Sequence, residues 1–302
     1  MRAIRYHEHG TADVLKLEEI AVPEPGADEV LVRVRAAGVN PVDWKQRSGM
    51  NPNLPAIPGI DLSGTVEKVG PGVTGFEAGQ EVWGTGQGSY AEYAIAPVNS
   101  LVPKPPDMSF EEGASFGVGV RTAWVALFES ASLESGRTIL VQGAAGGVGM
   151  WGVQLAKWKG ATVIGTASSG NIDFINSLGV DVAVDYTTTA IETVAKDVDF
   201  VLDTVGGAVQ DQSWQTLKAG GTLVTIVGDP DQAQAEKHSV TAIRVGRPTD
   251  SIEIFDTVNE LFASGRARPL VQKVFPLDQA KQAHELSETT HGRGRIVLSV
   301  SD

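Results

Sequence analysis

The residues most able to do chemistry gather at Gly143-Ala144-Ala145-Gly146-Gly147-Val148-Gly149, four glycines in seven positions. An apolar run at 139–141 precedes them and reads as a buried parallel strand. Val148, Trp151, Leu155 and Trp158 then recur at helical spacing. Strand, glycine turn and helix together aim free backbone N–H groups and a helix N-terminus at a phosphate. The glycines fall as G-x-x-G-G-x-G, not G-x-G-x-x-G, so taken alone the turn is either a tight corner or a phosphate cradle. Its surroundings have to decide.

Those surroundings alternate. Residues 161–166 read as a second strand, 172–178 as a helix closed by Gly179, and 182–185 as a third strand. A helix over 188–196, a strand over 200–204, a helix over 209–218 and a strand over 222–227 follow. Repeated strand–helix units with short connections predict a doubly wound parallel sheet, and the glycine turn follows its first strand. That is where such sheets bind pyrophosphate.

The flanks read differently. Residues 30–35 alternate apolar and charged side chains, the period of a half-buried strand. Strands at 64–69, 81–83 and 90–94, separated by glycine and proline turns, predict a compact β-rich domain. The tail from about residue 266 returns to strand-like text, at 270–275 and 294–300, around one helix at 277–286. The fold class is therefore α/β: a β-rich domain built from 1–118 and 265–302, and a doubly wound domain over 119–264.

Bulk properties narrow the field. At 302 residues the chain is long enough for about two domains. An apolar content of 42% with 20% charged residues describes an ordinary globular protein. A formal net charge of −13 argues against nucleic acid or an anionic membrane as partner. Cysteine is absent, which removes disulfides, thiolate metal sites and a thiol nucleophile. No signal peptide or apolar run of membrane-spanning length is found, so a cytoplasmic protein is expected.

Six motifs in order across about 260 residues carry a resemblance. They are Ala36-Ala-Gly-Val-Asn-Pro-Val-Asp-Trp-Lys45, Pro58-Gly-Ile-Asp-Leu-Ser-Gly64, Tyr90-Ala-Glu-Tyr93, the glycine turn, Phe275-Pro-Leu-Asp-Gln-Ala280 and Gly294-Arg-Ile-Val-Leu298. The set resembles the zinc-independent, zeta-crystallin-like quinone oxidoreductases of the medium-chain dehydrogenase/reductase superfamily. The resemblance implies a GroES-like catalytic domain with a Rossmann domain inserted in it, NADPH as cofactor, and a homodimer joined through the Rossmann sheets. Metal-using relatives place ligands where Asn40 and Ile60 stand and near Val118. Isoleucine and valine have no donor atom and a lone amide oxygen does not hold zinc, so no metal is expected.

Without a Lewis acid, a simple ketone is a poor acceptor, whereas a quinone or conjugated enone spreads the incoming charge onto a distant oxygen. Asn40 is the first candidate to donate to that oxygen; otherwise its amide ties down the loop before Pro41. Lys45 either donates to the same oxygen, approaches the nicotinamide ribose, or is a solvated surface lysine. Asp61, beside the metal in zinc relatives, is expected to orient a neighbouring loop. Trp44 and Trp124 line an aromatic pocket or pack in the core. The five histidines, His284 and His291 among them, read as surface residues.

No acidic residue occurs between Gly143 and Ile172, where NAD sites place the group that binds the ribose 2′-hydroxyl. Ser168, Ser169 and Asn171 stand there instead, with groups that can hydrogen-bond a 2′-phosphate, which points to NADPH. Asn171 replaces a family lysine, so the charge-assisted contact is missing. By resemblance, Tyr186 touches the same phosphate or simply packs, Thr122 lies against the nicotinamide, and Arg295 sits near the pyrophosphate or on the surface. Val205 and Gly228 complete the expected cofactor contacts. An enoyl-thioester reductase and a non-catalytic NADPH-binding protein remain as alternatives.

Overall fold

The computed structural model describes residues 1–246, 251–289 and 292–300. The chain divides into two compact units, Met1–Val118 with Asp250–Asp302, and Gly119–Thr249.

The first unit is built on one long strand, Glu29–Val39. Its alternating side chains bury Val30, Val32 and Val34 in a core shared with Leu62, Val66, Leu101 and Leu298. Asp61–Val69 pairs antiparallel with one edge of it, and Arg295–Ser299 pairs antiparallel with its far end, Ile296 opposite Val39. A strand from the end of the chain thus closes the sheet begun near its start. Tyr93–Pro97 also pairs with Glu29–Val39, and Glu81–Thr85 continues the sheet from Asp61–Val69. Helix Ile252–Ala263 belongs to this unit, where Asn259 accepts a hydrogen bond from the Trp83 indole at 2.9 Å.

The second unit is a parallel sheet of six strands among the described residues. In spatial order they are Val182–Asp185, Thr162–Ala167, Thr138–Gln142, Val198–Asp203, Leu217–Thr225 and Thr241–Arg244. Numbered along the chain, this is the order 3-2-1-4-5-6 of dinucleotide-binding sheets, with the switch point between the first and fourth strands. The core is formed by Leu140, Ile164, Val184, Val201 and Leu223, with Trp214 packed against them.

One sequence expectation is corrected. The helix expected over 209–218 stops at Ser213, and Leu217 already pairs with Val198 as strand. Sheet pairing overrides the helical propensity of Leu217 and Lys218. The stretch 229–250 contains helix Gln232–His238, capped by Asp231, and the edge strand Thr241–Arg244. Its last four residues lie outside the described residues.

Candidate functional site

In the second unit, strand Thr138–Gln142 ends at Gly143, whose φ of +67° belongs to the left-handed region that favours glycine. The turn is braced from beneath. The Thr166 hydroxyl donates to Gln142 Oε1 at 2.7 Å while its oxygen accepts from the Gly143 amide at 3.1 Å. Ala144 N–H donates to the Thr166 carbonyl, and Gly146 N–H to the Gly143 carbonyl. The amides of Ala145, Gly147 and Val148 have no hydrogen-bond partner among the described residues. They directly precede helix Gly149–Lys159. Three free donors within four residues at a helix N-terminus are what a pyrophosphate needs. Gly149 admits no side chain, because a Cβ there would sit 2.1 Å from the Gly143 carbonyl oxygen. The turn therefore fits a dinucleotide.

Val205 and Gly228 line one cleft of about 390 Å³ with Gly206, Gly207, Thr225 and Val227. Asp203 shapes its wall, accepting from the Val205 and Gly206 amides at 3.0 and 2.8 Å. Val205 is 48% exposed, an apolar side chain available to a flat ring. Thr122 is half-buried on helix Gly117–Trp124. Trp124, on the same helix, stacks on Trp158 at 6.0 Å and meets Phe128 edge-on.

Beyond the second strand, Asn171 Nδ2 donates to Ser168 Oγ at 3.2 Å. Tyr186 is 55% exposed, which speaks against its alternative as a simply packed side chain. Ser169 is occupied. Its hydroxyl donates to Asp185 Oδ2 at 2.5 Å, and Thr187 donates to Asp185 Oδ1 through both its amide and its hydroxyl. These bonds hold the Asp185 carboxyl below its ordinary pKa, Ser169 contributing most. This acid was not singled out in the sequence; only the parallel register, Asp185 opposite Ala167, brings it to Ser169.

In the first unit, Asn40 begins the short helix Pro41–Lys45, its amide N–H donating to Asp43 Oδ2 at 2.8 Å. The Asn40 side chain is wholly buried and engaged at both ends. Nδ2 donates to Asp61 Oδ2 at 3.0 Å, and Oδ1 accepts from Arg295 Nη2 at 2.5 Å. One N–H of the amide remains to be offered. Arg295 also ion-pairs with Asp61 at 2.7 Å, and Asp61 Oδ1 accepts the Val118 amide at 2.7 Å. Arg295 is thus corrected on its surface alternative: it is 4% exposed, and Asp61 and Asn40 hold its guanidinium. Asp61 draws together Asn40, where zinc relatives carry a ligand, and Val118, near which they carry another, and an arginine neutralises it. Lys45 is half-buried with Nζ 5.5 Å from the centre of the Trp44 ring, so it is neither fully solvated nor ion-paired among the described residues.

His284 is the second correction. It is fully buried, on the face of helix Ala280–Glu288 that also buries Ala280 and Ala283. Burial and the adjacent Arg47 push its pKa down to about 3. Neutral His284 accepts from Arg47 Nη1 on Nδ1 at 3.2 Å, so its Nε2–H donates to Tyr90 Oη at 3.3 Å. Tyr90 in turn donates to Asp43 Oδ2 at 3.1 Å. Asp43, buried and near the Asp61 charge, is pushed up to about 7. This chain of donors runs from Arg47, paired with Glu288, to the residue that holds the Asn40 loop. His291 lies outside the described residues. Among the described residues no group of three His, Asp or Glu side chains could hold a metal ion, and no helix is long and apolar enough to cross a membrane.

Both units have counterparts among known proteins. Residues 26–106 match the alcohol dehydrogenase GroES-like domain and 178–298 the family described as zinc-binding dehydrogenase. The quinone oxidoreductase of Rattus norvegicus is 33% identical over 98% of this chain and 96% of its own. The chloroplastic NADPH-dependent alkenal/one oxidoreductase of Arabidopsis thaliana is 34% identical over 99% of this chain and 79% of its own. The solved quinone oxidoreductase of Coxiella burnetii superposes with a TM-score of 0.92 at 33% identity, covering 100% of this chain and 99% of that one. The chain belongs to the quinone oxidoreductases of the medium-chain dehydrogenase/reductase superfamily.

Proposed function

We propose that the protein is an NADPH-dependent reductase of quinones or α,β-unsaturated carbonyls that works without a metal. The observation that carries this reading is Asp61, held by Arg295 and by Asn40 at a place where Ile60 and Val118 offer no donor atom. A site without a Lewis acid suits an acceptor that delocalises its own negative charge.

The bound dihydronicotinamide supplies the hydride. The Ala145, Gly147 and Val148 amides hold the pyrophosphate, supported by Gly143, Ala144 and Gly146. Ser168, Asn171 and Tyr186 offer donors to the adenosine end. Val205, Gly228 and Thr122 position the nicotinamide. Lys45 donates to the substrate oxygen as charge develops there. Asn40 keeps that loop in register, its remaining N–H directed to the same oxygen. Arg295 belongs to the Asp61 network and not to the cofactor.

The test is oxidation of NADPH by the purified protein with a benzoquinone, an ortho-quinone, an alkenal and crotonyl-CoA, NADH run in parallel. Turnover with quinone or alkenal is expected. Preference for crotonyl-CoA makes the protein an enoyl-thioester reductase, and binding of NADPH with no turnover makes it a non-catalytic binder; either result removes the proposal.

A further inference from the structure

The corner that receives the adenosine ribose contains a carboxylate with no cationic partner. Asp185 makes no ion pair among the described residues, and its two oxygens take the hydroxyl protons of Ser169, at 2.5 Å, and Thr187, at 2.6 Å. Ser169 and Thr187 lie 3.1 Å apart, oxygen to oxygen. Each hydroxyl has a single proton to give. With both protons on Asp185, the Ser169–Thr187 edge presents lone pairs and a negative charge. A phosphate ester near −2 needs donors and finds few there. A ribose 2′-hydroxyl is itself a donor and finds acceptors.

We propose that Asp185 is the residue that sets nicotinamide cofactor selectivity in this chain, working against the 2′-phosphate. It withholds the donors Ser169 and Thr187 and adds a like charge, while Ser168, Asn171 and Tyr186 supply what attraction the phosphate meets. Wild-type protein therefore favours NADPH over NADH by less than it would without this carboxylate. The inference rests on the reading of this unit as the nicotinamide nucleotide site.

Direct titration tests it, by calorimetry or by fluorescence of the bound dihydronicotinamide, with NADPH and NADH separately. Asp185→Asn keeps the acceptor for Ser169 and adds a donor without charge. It should raise the ratio of NADPH to NADH affinity about tenfold or more, the scale of one hydrogen bond to a charged group. Asp185→Ser, smaller and uncharged, should move the ratio the same way, with the melting temperature reporting that both variants fold. Thr187→Ala leaves the carboxylate in place and should shift the ratio less than about threefold, the scale of one neutral hydrogen bond. Tight binding of both nucleotides with an unchanged ratio in Asp185→Asn and Asp185→Ser overturns the inference alone. An equal shift in Thr187→Ala also overturns it, since loop shape and not the carboxylate would then be responsible. No binding of either nucleotide to wild type or variants overturns the assignment of the unit, and this inference with it.

Discussion

Substituting Gly149 by alanine adds one methyl group at the tightest point of the glycine turn. The new Cβ would lie 2.1 Å from the Gly143 carbonyl oxygen, 2.8 Å from its carbonyl carbon and 2.9 Å from Ala144 Cα. All three are backbone atoms, so no side chain can rotate away. Real Cβ atoms stay beyond 3.0 Å, and opening 2.1 to 3.0 requires the turn and the helix start to part by 0.9 Å. Ala145, Gly147 and Val148 lie between those two points, so their amides are carried off their common target. Overpacking of this kind costs about 1–3 kcal/mol of stability, leaving a folded protein. Weakening one or two hydrogen bonds to a charged phosphate, at about 1.5–3 kcal/mol each, lowers affinity about a hundredfold. Titration of Gly149→Ala with NADPH should therefore show a dissociation constant raised about a hundredfold, with a lowered melting temperature and retained secondary structure. A constant within about threefold of wild type, well under one charge-assisted hydrogen bond, would refute the claim that this turn holds the pyrophosphate.

Three further outcomes follow from the buried network of the first unit. Arg295→Leu removes the guanidinium that ion-pairs with the wholly buried Asp61 and should cost about 3–5 kcal/mol in urea unfolding; a loss under about 1 kcal/mol, the scale of an exposed pair, sinks the network. Asp43 has its carboxyl raised from 3.8 to about 7, so the folded state retains a proton the unfolded chain loses, and its stabilisation fades as pH rises across that window. Asp43→Asn should therefore make stability rise more steeply with pH than in wild type, by up to about 1.4 kcal/mol per pH unit between pH 4 and 7. His284, lowered from 6.5 to about 3, contributes stability that is lost as pH falls through that range, so the two slopes oppose each other in wild type; identical pH profiles for wild type and Asp43→Asn would show Asp43 ionised throughout. Asn40→Ala should lower kcat more than it raises KM; a change in KM alone would confine Asn40 to binding.

Much of this was legible in the sequence, because local pattern carries it. The glycine turn, the first five parallel strands and the strands at both ends of the chain announce themselves through period and punctuation. What escaped depends on distance along the chain. Thr241–Arg244 has four residues at a sheet edge, too few for a period. His284 follows Ala280 and Ala283 at helical spacing, a sign of a buried face that its residue type obscured. Arg295 meets Asn40 across 255 positions and Asp61 across 234, so its buried pairing could not be read from either motif. Asp185 lies outside the acid-free stretch that pointed to NADPH, yet parallel pairing returns it to the edge of that stretch.

The chemistry proposed for this protein is direct hydride transfer from a nicotinamide to a conjugated acceptor with no metal involved. Its most direct test is the reduction of an α,β-unsaturated aldehyde by the EDTA-dialysed protein with NADPH deuterated at the transferable position. The predicted result is one deuterium on the β-carbon of the saturated product, at a rate unchanged by EDTA. A product without deuterium, or activity lost to EDTA and restored by zinc, would contradict it.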